Sequence, residues 1–459
     1  MGRPEVRRVR QRKRPADNPM SEARTSPEDY NLLGREKETM RDPYALYKLL
    51  LAGAPVFKEP EHGIYLVSRY EDIVEMKRQP RRFSNRMPTG PMRMPNVEDL
   101  PPELIDKVQQ LMADSSTPNA TQNYQQIATL LAADPPNHTR YRGMTNKLFN
   151  TRTAKGWEPR IREIADELMA GVIEQGNVDW VTAFAHPLPL RTVGEILGVP
   201  TDDEELLDKL FGGKTAGDAI GNPDVMLERL VDQVNTGTST RNEYYLFFND
   251  RIRELRKRPI PGDFLSDLIQ LPDDEGNTLS DDEILSVVSH FQVAGHETST
   301  KMITQAMYQL ATNLDLFAEI KKNRNLVENL VEESLRYEAP VQGLFQIAEE
   351  DVEVGGEPIP KGSMLMTIYG AANRDPSRFE HPDTFNVHRH NVRAHLSFGG
   401  GIHSCPGKPF ARAEGVQGFH SLFDRATSVT LNEDEDGLAR SLSYILRGIS
   451  ELNITVMAA

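Results

Sequence analysis

The sequence predicts a mainly α-helical protein with small β-sheets, and three observations carry that reading. Ser280-Asp281-Asp282-Glu283 is a capping box that opens the longest helical pattern in the chain. Along that pattern Ile284, Leu285, Val287, Val288, Phe291 and Ala294 recur at helical spacing. Alternating segments are short by comparison: 56–67 around Gly63 and 352–368 around Gly355-Gly356 read as hairpins.

Composition sets the outer bounds. The 459 residues are 38% hydrophobic, and no apolar run approaches the ~20 residues that span a bilayer. A net charge of -15 argues against general nucleic-acid binding, which needs a basic footprint. One cysteine forbids an intrachain disulfide and fits a reducing cytoplasm. Residues 1–28 run against the overall charge, with Arg3, Arg7, Arg8, Arg10, Arg12, Lys13 and Arg14, and read as a solvated, disordered arm.

Taken in order, residues 41–51 form a first helix ending near Gly53, and 69–79 a short one stopped by Pro80. From 84 to 127 the chain is irregular and rich in Pro, Met, Asn and Gln, a length that suits a functional covering loop, with Met87 a candidate for an adaptable apolar wall. Asp134-Pro135-Pro136 leads into a helix on which His138 and Arg142, four apart, share a face. Helical patterns follow at 154–174 and 187–197, then two more between 206 and 256, separated by glycines around Gly212 to Gly221. Midway along the capped helix lies Ala294-Gly295-His296-Glu297-Thr298-Ser299-Thr300. Glycine costs a helix interior about 1 kcal/mol, so it implies a structural reason. A threonine hydroxyl competing for a backbone carbonyl beside it opens a groove. Glu333 and Arg336 then stand three apart on the helix 326–337.

The sole cysteine sits in Phe398-Gly399-Gly400-Gly401-Ile402-His403-Ser404-Cys405-Pro406-Gly407. Glycines let backbone pass where a Cβ would collide, and Pro406 suits a first helical turn. A cysteine at a helix N-terminus has its thiolate favoured by backbone N–H groups and the dipole. Such a thiolate beside an open surface suits an axial position on haem iron.

The pattern Phe-x-x-Gly-x-His-x-Cys-x-Gly, carried by Phe398, Gly401, His403, Cys405 and Gly407, resembles the haem-binding loop of the cytochrome P450 family. Ala294-Gly295-x-Glu297-Thr298 and Glu333-x-x-Arg336 resemble two further motifs of that family. The resemblance implies the cytochrome P450 fold: a triangular helix-rich prism with haem b (iron protoporphyrin IX) between the central helix 280–313 and loop 398–407. It implies one domain over 29–459, with a substrate lid at 84–127 and 206–256. Cys405 would be the metal ligand, by the Cys-thiolate ligation of these enzymes. His138, Arg142 and His403 would hold the propionates, while Phe398, Gly401, Gly407, Ala294 and Gly295 contact the cofactor. Thr298 and Glu297 would be catalytic, one holding oxygen and ordered water, the other relaying protons. Glu333, Arg336 and a later arginine, Arg389, would form a buried structural cluster. Substrate-pocket candidates are Met87, Val288, Phe291, Ala294, Val341, Leu344, Phe345, Ile445 and Leu446, with strand alternation predicting that only one of the last two points inward. The chain departs from the family pattern at Gln346, where an arginine for the second propionate is common.

The implied activity is hydroxylation of a small to medium apolar molecule, of terpenoid, steroid or aromatic hydrocarbon type, in the cytoplasm of a bacterium. Dioxygen and two electrons are consumed. The sequence carries neither a fused flavin or nicotinamide domain nor further cysteines for an iron–sulfur cluster. Electrons are therefore expected from a 2Fe–2S-type or similar ferredoxin and its NAD(P)H-dependent reductase, docking at Arg140, Arg142, Lys408 and Arg412. A peroxide-driven peroxygenase and a non-catalytic haem-thiolate sensor are the alternatives, and the Glu297-Thr298 pair argues against both. No nucleic-acid partner and no membrane span are expected.

Overall fold

The computed structural model describes residues 24–34, 36–91, 100, 102–116, 126–211, 222–236, 240–432 and 438–459. Most of the basic arm, the glycine stretch 212–221 and part of the 84–127 segment lie outside them. The expectation of a mainly helical chain with small sheets holds. No helix among the described residues is long and apolar enough to cross a membrane.

The central helix is made in two pieces, Asp281–Gly295 and Glu297–Thr312. Its start is the capping box read from sequence: Ser280 Oγ accepts from Glu283 N at 3.3 Å, and Ser280 N donates back to Glu283 Oε2 at 2.8 Å. Its break follows from the residues there. Thr298, Thr300 and Thr304 each donate a hydroxyl to the carbonyl four residues back, at 2.9, 3.0 and 2.8 Å. Gly295 is closely packed, since a Cβ there would stand 3.0 Å from Val193 Cγ2 of the helix Pro187–Ile196.

Two apolar cores flank this helix. One joins its second half to the helices Thr151–Gln175, Val327–Tyr337 and Lys408–Arg425 through Trp180, Phe184, Phe419 and Phe423. The other joins its first half to Thr240–Lys257 and Phe264–Gln270 through Tyr244, Phe248 and Leu268. The region 206–256 holds three helices rather than the expected two: Glu204–Phe211, Pro223–Thr236 and Thr240–Lys257.

A five-stranded sheet lies at one side, in the order Val56–Lys58, Tyr65–Val67, Met364–Ile368, Gly343–Ala348, Phe83–Ser84. Only the Tyr65–Val67 and Met364–Ile368 pair is parallel. On Gly343–Ala348 the two-residue alternation puts Leu344 and Gln346 on one face and Phe345 on the other.

Candidate active site

One large cavity lies between the central helix and loop 398–407, and Cys405 opens onto it. The loop is pinned at several points. Cys405 N donates to Phe398 O at 2.9 Å, and Arg142 Nη2 donates to Ser404 O at 2.6 Å. Gly399 and Gly401 take φ of 63° and 62°. Gly401 is forced: a Cβ there would fall 2.1 Å from the carbonyl oxygen of Lys77. The collision that excludes a side chain is therefore with the protein itself.

The following helix begins at Lys408, with Gly407 as cap and Pro409 in its first turn, so Pro406 precedes the helix. The expectation that the helix terminus favours the thiolate needs correcting. Burial dominates and pushes the Cys405 thiol up, although the N–H groups of Gly407 and Lys408 and the charge of Arg142 pull the other way. Holding sulfur as thiolate therefore needs a further cation, which a metal supplies.

Around the cavity edge stand His138, Arg142, His403 and Lys77. The two imidazoles lie 4.1 Å apart between ring centroids. Burial, then the positive charges nearby, hold both below the usual histidine range, His403 at about 3. His403 Nδ1 is buried with no hydrogen-bond partner. Arg142 and Lys77 have no carboxylate partner among the described residues; their donors go to Ser404 O and to Gln346 Oε1. Desolvation lowers the Arg142 pKa. A set of buried donors and cations at the rim of an apolar cavity fits a flat apolar group with an anionic edge, and Cys405 offers the ligand for its metal. The residues present therefore fit haem.

The family decision comes from relatives. The chain is 38% identical over 339 residues to 6-deoxyerythronolide B hydroxylase of Saccharopolyspora erythraea, a match covering 73% of this chain and 80% of the relative. The chain belongs to the cytochrome P450 family. The family model described as cytochrome P450 matches residues 223–434. Vitamin D(3) 25-hydroxylase of Pseudonocardia autotrophica is 30% identical over 420 residues, 91% of this chain and 94% of that one. Among solved structures, cytochrome P450 CYP109Q5 from Chondromyces apiculatus has a TM-score of 0.75 at 30% identity, covering 92% of this chain and 97% of that one. The protein is a cytochrome P450 monooxygenase, and a haem, a substrate, dioxygen and a redox partner are implied.

In the central helix of this P450, Thr298 Oγ1 donates to Ala294 O at 2.9 Å, across the break at His296. Glu297 is buried beside Lys301, Oε1 to Nζ 3.2 Å, and its charge favours the protonated form of Arg229. His296, within the same stretch, is buried, and burial pushes its pKa down to about 4. Glu414 was not anticipated. It lines the cavity hydrogen-bonded to Ser299, and burial pushes its carboxyl up to about 8, so it is neutral at pH 7.

Beneath the cavity Glu333 sits between two arginines. Arg336 Nε and Nη2 donate to its two oxygens at 2.7 and 2.8 Å, and Arg389 Nε lies 3.2 Å from both. Remaining donors of Arg336 reach the carbonyls of Asn373, Pro382 and Thr384.

Phe291, Ala294, Val341 and Leu344 line the cavity. Three pocket candidates lie elsewhere. Met87 is 40% exposed. Val288 packs in the core with Tyr244 and Phe248. Phe345 points away from Leu344 by strand alternation and meets Tyr444, 6.0 Å between ring centroids. Ile445 and Leu446, by contrast, both line the cavity. The segment turns instead of running as a strand: Ser443 Oγ accepts from both Ile445 N and Leu446 N at 3.1 Å, so alternation does not apply.

The expected docking arginines are engaged internally. Arg140 pairs with Asp273 at 2.7 Å and with Glu283. Arg412 Nη2 donates to Glu332 Oε2 at 3.0 Å, and Arg142 faces the cavity.

Proposed function

We propose that this P450 hydroxylates a bulky apolar molecule of steroid, terpenoid, macrolide or aromatic hydrocarbon type, using haem b and electrons from a ferredoxin and its NAD(P)H-dependent reductase. The observation that carries it is the apolar lining of the cavity onto which Cys405 opens. Leu344, Phe291, Val341, Ile445 and Leu446 present hydrocarbon there, and His290 is kept towards its neutral form by burial. Supporting the bulky end of the range, two relatives are named as hydroxylases of 6-deoxyerythronolide B and vitamin D(3), and a structural neighbour, CYP109E1, was solved with testosterone. Residues 29–459 act as one catalytic domain in the cytoplasm, with 84–127 and 206–256 as its lid.

When bound, the haem supplies dioxygen activation and oxygen insertion, and electron donation from its thiolate ligand favours O–O cleavage. The chain supplies position and protons. Cys405 would hold the iron; Arg142, His138 and His403 would hold the propionate edge. Thr298 can turn its hydroxyl from Ala294 O into the groove, where it holds a water for proton delivery. Glu297, once released from Lys301, passes the proton inward. Substrate is held largely by shape, with His290, Asn85 and Thr89 among the polar side chains of the described lining.

The test is turnover. Holoenzyme with NADPH, a ferredoxin reductase and a 2Fe–2S ferredoxin, offered steroids, macrolide aglycones, terpenes and aromatics, is expected to return product with one added oxygen atom. Peroxide alone supporting equal turnover would favour a peroxygenase. Substrate binding with no product from either system would favour a sensor.

A further inference from the structure

Lys77 is the last residue of the helix Tyr70–Lys77, and only 8% of it is exposed. An ammonium that is buried and lacks a carboxylate is costly unless something anionic meets it. What does meet it is neutral. Its Nζ donates to Gln346 Oε1 at 2.9 Å and stands 5.5 Å from the centroid of the Tyr369 ring. Gln346 is itself fixed, its Nε2 donating to Asn85 Oδ1 at 2.8 Å and to Phe83 O at 3.3 Å. The carbonyls at the helix end favour a cation there only modestly.

The position of Lys77 is tied to the Cys405 loop. Its carbonyl is the atom that excludes a side chain at Gly401. It lines the same cavity as Arg142, His138 and His403, and its charge is felt at the His403 ring. Haem presents two carboxylates at one edge. A neutral amide at Gln346 can accept from the ammonium but cannot balance the charge of a carboxylate. The Arg and Lys side chains lining the cavity are Arg142 and Lys77, two basic groups for two propionates. Among the carboxyls lining the cavity, Glu297 is beside Lys301 and Glu414 is protonated, so neither competes.

We infer that Lys77 neutralises one haem propionate, with Gln346 orienting the ammonium rather than binding the propionate by charge. The inference rests on the haem-thiolate reading of the site.

The experiment compares holoproteins: wild type, Lys77→Met, Lys77→Arg and the double variant Lys77→Met/Gln346→Arg. Two readouts need no turnover: haem transfer to excess apomyoglobin, and the propionate-bending bands in the resonance Raman spectrum. Lys77→Met is expected to lose haem about tenfold faster, the size of a lost charge-assisted hydrogen bond, and to shift a propionate band. Lys77→Arg should stay near wild type, and Gln346→Arg should recover most of the loss by placing a cation beside the position of the lost ammonium. Unchanged haem loss and bands in Lys77→Met would overturn the proposal. So would faster loss with unmoved bands and no rescue, which marks Lys77 as packing only. If Lys77→Met does not fold, Gln346→Glu replaces it: a carboxylate there captures the ammonium, and unaltered haem retention overturns the proposal. The carbon monoxide spectrum of the wild type reports separately on the underlying reading, because loss of thiolate ligation appears there whatever Lys77 does.

Discussion

On the Cys405 side of the cavity, Arg336 spends its donors on Glu333, Asn373, Pro382 and Thr384, and Arg389 repeats the arrangement from across the cluster. On the facing side Leu344, Val341, Ile445 and Leu446 offer hydrocarbon contact alone. Directional bonds fix the first wall to one geometry, as positioning a metal ligand requires. Dispersion contacts leave the second wall tolerant of volume-conserving change. The difference teaches where each kind of substitution should be felt: stability and cofactor on one side, substrate choice on the other.

The largest effect belongs to the polar wall. Arg336→Met leaves buried Glu333 with Arg389 as its remaining charge partner and removes the bonds to Asn373, Pro382 and Thr384, and denaturant unfolding should show a loss of about 3–5 kcal/mol. A loss under ~1 kcal/mol would mean the cluster is as dispensable as a surface pair. Next comes Thr298→Ala, which leaves the fold and the Cys405 spectrum intact. Product formed per NADPH should fall on the order of 10²-fold, the scale of a lost proton-delivery group. Retained coupling would move that role elsewhere.

Glu414 gives a pH test of intermediate size. Its carboxyl holds a proton up to about 8 in the folded protein, against 4.5 for the ordinary side chain. Stability from this site is therefore complete below pH ~4.5 and drains away as pH rises towards 8. Glu414→Gln removes that drain, so its melting temperature should exceed that of wild type at pH 8 by the equivalent of about 4 kcal/mol and match it near pH 4.5. Parallel profiles would contradict a neutral Glu414.

The apolar wall responds more mildly. Leu344→Phe should shift substrate dissociation constants by about 1–2 kcal/mol, measured by optical titration, without changing stability to the same degree. Met87→Ala, at an exposed position, should change neither by more than about 0.5 kcal/mol. An effect of Met87 as large as that of Leu344 would erase the distinction between the walls.

The same contrast explains what could be read from the sequence. Cys405, Glu333-x-x-Arg336 and Gly295 through Thr298 were legible because each residue type does something its neighbours cannot. The capping box at Ser280 was legible because its two hydrogen bonds are local. Phe345 and Met87 were misplaced because an apolar residue near a cavity carries no mark of the way it faces; the register with Met364–Ile368 decides it. Ile445 and Leu446 were misjudged because a serine hydroxyl, not a strand, shapes the chain there. Lys77 and Glu414 went unread because their burial is set by elements distant in the chain. The one available signal for Lys77 was indirect, the missing arginine at Gln346.

The central claim is a bond from Cys405 to haem iron, and the ferrous carbon monoxide difference spectrum tests it most directly. Folded, haem-bearing wild type is predicted to show the strongly red-displaced Soret band of a thiolate opposite the gas, and Cys405→His to lose it while keeping haem. A wild-type band at the position given by a histidine ligand, or a red-displaced band that survives Cys405→His, would contradict the account.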